Sequence, residues 1–327
     1  MNQVAPNRRG ENLRSLFEEY IHECTYSRRR SPETIRGYKQ VFDTFTKLCP
    51  SVTLESLSHR SLTELFSILE TRERVVGKGI IKKGVKKSTI VTYISKLHSF
   101  FEWMQQRGYI DENPVRKMAR VTATYDTIES LRKPEIEKIR AAIDNHSHDL
   151  LHMKRDRAMV SILIFCGLRR GELLGLAVTD VNLEKQQLTI RKETSKSKRT
   201  RMLPLNQQTV MHLEDYLSER NRRTNGKNHP FYKTPTLFVA LHQDRGLSKD
   251  GLKHWVVRLI RLSGVKFHLH QFRHTFACNA ATNGANAIIL QRLLGHTDLR
   301  MTQRYVRSLS VDDLRSVVDV LSFDSLA

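Results

Sequence analysis

Residues 155–176 read RDRAMVSILIFCGLRRGELLGL. The stretch from Ala158 to Cys166 is the longest apolar run of the chain and reads as an apolar helix. It is far too short to span a bilayer. Gly167 stops it, and Arg169 then heads a second helix, where backbone N–H groups and a guanidinium can converge on an anion.

Downstream, Leu188-Thr189-Ile190 and Met202-Leu203-Pro204-Leu205 read as short strands. They flank the charged turn Thr194-Ser195-Lys196-Ser197-Lys198. The rest reads as helical, apart from a polar loop over 220–230. Upstream, Pro134 starts a helix with Ile136, Ile139 and Ile143 on one side. Residues 115–130 read as a linker, and Asn113-Pro114 closes a first, helical domain over 13–114. Within it, Ser31-Pro32-Glu33 is a cap followed by a proline at the first helical position. Ile35, Tyr38, Val41, Phe42, Phe45 and Leu48 then recur at spacings of three and four. A second helix begins near Ser88 and ends at Arg107-Gly108. Between the two, Gly77 to Lys87 reads as a flexible loop carrying Lys78, Lys82, Lys83, Lys86 and Lys87. It is open to two uses, lying against DNA backbone or standing in solvent. A phosphate-loop reading fails, because Val85 occupies the lysine position. Residues 1–12 read as a loose arm.

The chain has 327 residues, enough for two domains, and a net charge of +21. Residues 1–120 carry 22 basic and 13 acidic groups, and residues 121–327 carry 33 and 21. Both halves are thus basic, as expected if both touch one polyanion. The four cysteines are scattered with no C-x-x-C pair, and no apolar signal follows Met1. This predicts free thiols in a cytoplasmic chain with no membrane span.

Five segments of the second domain hold the groups that metal-free phosphodiester cleavage requires: Arg169, Lys196, His270 with Arg273, His296, and Tyr305. Attack on a phosphodiester builds negative charge on its non-bridging oxygens, which two arginines can clamp bidentately. A tyrosine hydroxyl must lose its proton during attack, and the leaving 5′ oxygen needs one, which a mobile lysine can supply. A covalent phosphotyrosine conserves the bond energy, so rejoining needs no ATP. His270 and Arg273 are three residues apart, so on a helix they share a face. His268, His270 and His274 raise the thought of zinc, but Gln271 stands where a zinc-protease helix carries glutamate. No metal or cofactor is expected.

The order Arg … Lys … His-x-x-Arg … His … Tyr resembles the tyrosine recombinase (phage integrase) family, in particular its short Xer-like and transposon-borne members. The resemblance covers about 13–315 and is carried by 155–176, HLHQFRHTFA (268–277) and LQRLLGHTDLRMTQRYV (290–306). It implies a mainly α fold with a small antiparallel β-sheet, arranged as a two-domain C-shaped clamp: a helical core-binding domain, then an α+β catalytic domain over 131–309. It implies that Arg169 and Arg273 bind the scissile phosphate and that Lys196 is the general acid, with Lys192 and Lys198 competing for that role. His270 and His296 would contact the phosphate or assist proton transfer, Tyr305 would be the nucleophile, and Glu172 would support the first arginine. Lys198 and Arg199, with the lysines of 77–87, are further candidate DNA contacts. Phe272 and Val306-Arg307 depart from the commoner family residues and blur the subgroup.

Residues 310–327 read as an amphipathic helix, and 311–327 carry four Asp against one Arg. DNA would repel it. The resemblance implies docking on a neighbouring subunit in a tetramer on DNA; docking on its own domain is the alternative. The expected activity is site-specific recombination through a Holliday junction, for integration, transposition or dimer resolution. A type IB topoisomerase-like nicking-closing enzyme and a non-catalytic DNA-binding regulator are the competing readings.

Overall fold

The computed structural model describes residues 12–77, 79–119, 121, 129–146, 149–224, 232–241 and 243–307. The chain divides into two compact units, 1–126 and 127–327.

The first unit packs four helices around aromatic side chains: α1 (Leu13–Tyr26), α2 (Pro32–Leu48), α3 (His59–Thr71) and α4 (Lys87–Gln106). Asn12 caps α1 and Ser31 caps α2, each accepting from a first-turn N–H, and Pro32 stands at the head of α2. Phe17 stacks on Phe42 with ring centroids 3.8 Å apart, and Phe100 meets Phe17 edge-on at 5.2 Å. Asn113, fully buried, accepts from Val115 N–H and donates to the His98 carbonyl and to Glu102. That satisfies its amide and closes the end of α4.

Gly77 to Lys87 is not a loop. β1 (Glu73–Val76) and β2 (Ile80–Lys83) form an antiparallel hairpin, with Val75 opposite Ile81 and Arg74 opposite Lys82. Its strands have no buried face, so the inside–outside alternation that betrays a strand is missing from the sequence. Of the five lysines, Lys82 and Lys83 lie on β2, Lys86 caps α4 and Lys87 begins it; Lys78 lies outside the described residues.

The second unit is built around α6 (Leu150–Cys166), preceded by α5 (Lys133–His146). Asp149 caps α6, accepting from the N–H groups of Leu151 and His152. Gly167 ends it at φ 59°, where a Cβ would also meet the Phe276 ring at 2.4 Å. Ala158, Met159, Ile162 and Leu163, in the apolar second half of the helix, have no measurable exposure. A short helix, α7 (Arg170–Leu174), leads to the antiparallel sheet β3–β4–β5: β3 (Val181–Asn182), β4 (Gln187–Ile190) and β5 (Arg201–Pro204). The first of these strands was not expected from the sequence.

α8 (Gln207–Thr224) runs into the stretch read as a loop from 220, while 225–231 lie outside the described residues. The following segment is not helical. It is extended, bridges Ala177 to Thr236, and buries Leu237, Phe238 and Val239. Its apolar run is too short for periodicity to separate strand from helix. Four helices complete the unit: α9 (Lys249–Ser263), α10 (Leu269–Thr282), α11 (Ala287–Leu294) and α12 (Arg300–Arg307). The expected tail helix over 310–327 lies outside the described residues. No described helix is long and apolar enough to cross a membrane.

Candidate active site

A helix leaves its last carbonyls without partners inside itself. At the end of α11, three consecutive carbonyls each accept from a different arginine. Leu293 O takes Arg201 Nε at 3.1 Å, Leu294 O takes Arg273 Nη2 at 2.7 Å, and Gly295 O takes Arg169 Nη2 at 3.4 Å. The negative end of the helix dipole favours cations there. Gly295 must be glycine on two counts: its φ is +62°, and a Cβ would meet Arg201 Nη1 at 2.8 Å.

Glu172 holds two of these arginines from the other side. It is 1% exposed, accepts from Arg201 through both oxygens at 2.9 and 3.0 Å, and accepts from Arg169 Nη1 at 3.0 Å. Burial alone would raise its pKa, but the Arg201 bonds and charge, then those of Arg169, outweigh this and hold the carboxyl below its ordinary value. Arg273 is 1% exposed and donates also to the Gly167 carbonyl at 2.8 Å. Burial, then the neighbouring Arg169 charge, push its guanidinium down to about 9, which leaves it protonated at neutral pH.

His296 sits between Arg273 and α12. Its Nε2 is 2.9 Å from Arg273 Nη2, and its Nδ1 is 2.8 Å from the buried hydroxyl of Thr302. A guanidinium only donates, so Nε2 accepts and Nδ1 carries the proton toward Thr302. Tyr305, one turn beyond Thr302 on α12, is 3% exposed and packs with Ala277, Ala281, Leu290 and Leu294. Its ring lies 5.3 Å from that of His274, and it is close enough to Arg273 to favour the guanidinium's charge.

Arg169, Glu172, Arg273, His296 and Tyr305 are thus gathered around α11 and its flanks. His270 lies near the start of α10 and is exposed, whereas Arg273 on the same helix is buried. Lys196, Lys198 and Arg199 are exposed in the turn between β4 and β5, as is Lys192; Lys198 has φ +56°. His268 caps α10, accepting from Gln271 N–H through Nδ1. Sequence reasoning missed Arg201 and Thr302. The alternation of Arg201 and Leu203 along β5, continued by Leu205 just beyond it, was a usable signal for an inward arginine. Nothing local marked Thr302.

The family model described as phage integrase family matches residues 129–310, more than half the chain, and that of the phage integrase N-terminal SAM-like domain matches 17–108. The chain belongs to the phage integrase family, the tyrosine recombinases. It is 27% identical to the tyrosine recombinase XerC of Thermodesulfovibrio yellowstonii, over 94% of this chain and 95% of that one. It is 26% identical to XerD of Listeria innocua, over 90% and 94%. Among solved structures it resembles in fold the Tn1549 transposon integrase in complex with transposon right end DNA, with TM-score 0.74, 19% identity, and coverage of 95% of this chain and 99% of that one. It also resembles the XerH recombinase bound to palindromic difH, with TM-score 0.68, 21% identity, and coverage of 93% and 84%.

Proposed function

We propose that this chain is a site-specific recombinase that cuts and rejoins duplex DNA through a covalent link to Tyr305. The observation that carries the reading is the convergence of Arg169, Arg201 and Arg273 on one helix end, with His296 and Tyr305 in the same cluster. In this reading Arg169 and Arg273 take the non-bridging oxygens of the scissile phosphate, where charge grows most in the transition state. Tyr305 Oη bonds to phosphorus as the bond to the 5′ oxygen breaks, leaving a 3′-phosphotyrosyl end. A lysine of the β4–β5 turn, Lys196 by preference, gives its proton to the departing 5′ oxygen. His270 and His296 contact the phosphate or help move the phenol proton. A free 5′ hydroxyl of a second duplex then reverses the step and restores a phosphodiester.

The packed Tyr305 ring implies that α12 shifts, or its surroundings open, before a phosphate meets the phenol. Two strand exchanges in succession, through a four-way junction, would complete recombination in a tetramer. Residues 310–327 are assigned to docking on the neighbouring subunit, where an acidic segment fits a basic partner surface better than DNA does. The first unit is assigned to core-site binding, consistent with its basic charge.

The test is a nicked duplex taken from either side of the chain's own gene, incubated with the protein and then denatured. A covalent protein–DNA adduct that transfers its strand to a second duplex is expected. Resealing of the first duplex without transfer, or no adduct on any such duplex, overturns the reading.

A further inference from the structure

We propose that the β1–β2 hairpin is a DNA-reading ribbon that enters the major groove, with Val75, Ile80 and Ile81 inside the groove and Lys82 and Lys83 at the phosphate rims. The proposal rests on the reading of the chain as a DNA recombinase and adds a second contact surface, on the first unit.

Three large apolar side chains of this short hairpin stand in solvent: Val75 is 71% exposed, Ile80 58% and Ile81 64%. Directly opposed residues of an antiparallel pair share a face. Val75 and Ile81 therefore present an apolar pair on one face, while Ile80, opposite Val76, stands on the other. A ribbon apolar on both faces has nothing among the described residues to pack those side chains against, and it fits a slot with two walls. The surrounding charge says which slot. Residues 72–87 hold seven basic groups against the single acid Glu73, so the walls are anionic.

The dimensions agree. The major groove is about 12 Å wide and about 8.5 Å deep, and admits a two-stranded ribbon. A strand rises about 3.3 Å per residue, so with Gly79 at the floor Ile80 and Ile81 lie inside the groove. Lys82 and Lys83 then stand near its rim, level with phosphates. The base is held firmly enough to aim the ribbon. Arg74 Nε donates to the Gly84 carbonyl at 2.7 Å, and Gly84 N–H donates to Arg72 O at 2.9 Å. At Gly84 a Cβ would strike the Glu70 carbonyl at 2.3 Å, so the chain there lies directly on the end of α3. On the groove floor, the apolar group for Val75, Ile80 and Ile81 to meet is the thymine methyl.

The experiment measures binding of the full chain to two 40-base-pair duplexes of one mixed sequence, one with thymine and one with uracil throughout, over a range of salt. Wild type is expected to prefer the thymine duplex by about tenfold, the scale of burying about two thymine methyl groups against the hairpin. Ile80→Thr/Ile81→Thr, which keeps strand propensity, should bind both duplexes equally at the weaker level. Val75→Thr/Ile81→Thr should lose part of the preference. Lys82→Ala/Lys83→Ala should keep it, while lowering the slope of log affinity against log salt by roughly two. An indifferent wild type, or a threonine variant that still discriminates, overturns the proposal. So does sedimentation of wild type as a DNA-free dimer that Ile80→Thr/Ile81→Thr dissolves, which would assign the patch to a second copy of the chain. Covalent-adduct formation by the same wild-type preparation separates the two claims. An adduct with no thymine preference sinks only the ribbon, and no adduct sinks the recombinase reading.

Discussion

Arg273 donates to His296: the guanidinium Nη2 lies 2.9 Å from the imidazole Nε2. This contact settles the histidine's protonation, because a guanidinium has no lone pair to offer. The neutral ring must then turn its own N–H to Thr302, whose hydroxyl is 2.8 Å from Nδ1.

Thr302→Val removes that acceptor from the Nδ1–H of the half-buried ring. Single-turnover formation of the Tyr305 adduct should slow by about tenfold, one hydrogen bond's worth. The rate's dependence on pH should also move, since the tautomer is no longer held. Thr302→Ser should restore both; a valine variant with the wild-type rate and profile would show that the threonine only fills space.

Tyr305→Phe keeps the ring contacts with Leu290, Leu294 and His274 and deletes one oxygen. DNA affinity and thermal midpoint should stay close to wild type, while covalent adduct falls to nothing. Gel shift and denaturing gel on the same sample measure the two properties together.

Glu172→Ala strips a buried carboxylate from between Arg169 and Arg201, leaving their charges facing each other at low exposure. Breaking a buried pair in this way costs about 3–5 kcal/mol, so the urea midpoint should fall sharply. Glu172→Gln, which retains the acceptor oxygen, should lose less. A change below about 1 kcal/mol in the alanine variant would contradict the assigned contacts.

Acid should weaken the second unit through His152. Burial lowers its pKa from 6.5 to about 4; Asp156, 3.4 Å away, opposes this, while the charges of Arg155 and Arg258 beside it add to the lowering. The folded state therefore binds the proton less readily than the unfolded chain does. The stability this confers is complete above about pH 6.5 and is lost as pH falls toward 4. His212, also lowered chiefly by burial, adds in the same direction. Denaturation midpoints at pH 7 and pH 5 should differ less in His152→Asn than in wild type, and an unchanged difference would remove His152 from the account.

Much of this was legible in the chain because it is local. The glycine stop at Gly167, the serine cap before Pro32 and the apolar interior of α6 depend on neighbours within about one helical turn. The catalytic candidates were legible for another reason, since few combinations of side chains can neutralise a pentavalent phosphate and still release a 5′ oxygen. The hairpin at 73–83 escaped notice because neither strand has a buried face. Arg201 escaped because it sits among other exposed basic residues in the sequence, although its side chain is only 10% exposed.

The sequence by itself determined the glycine stop of α6, the cap of α2 and the inventory of reactive groups. Tertiary structure alone decided that Leu293, Leu294 and Gly295 would share out three arginines, one of them 126 residues away along the chain. The physical reason is that every residue carries the same carbonyl. A backbone acceptor leaves no mark in the sequence, and only packing brings a particular guanidinium to it.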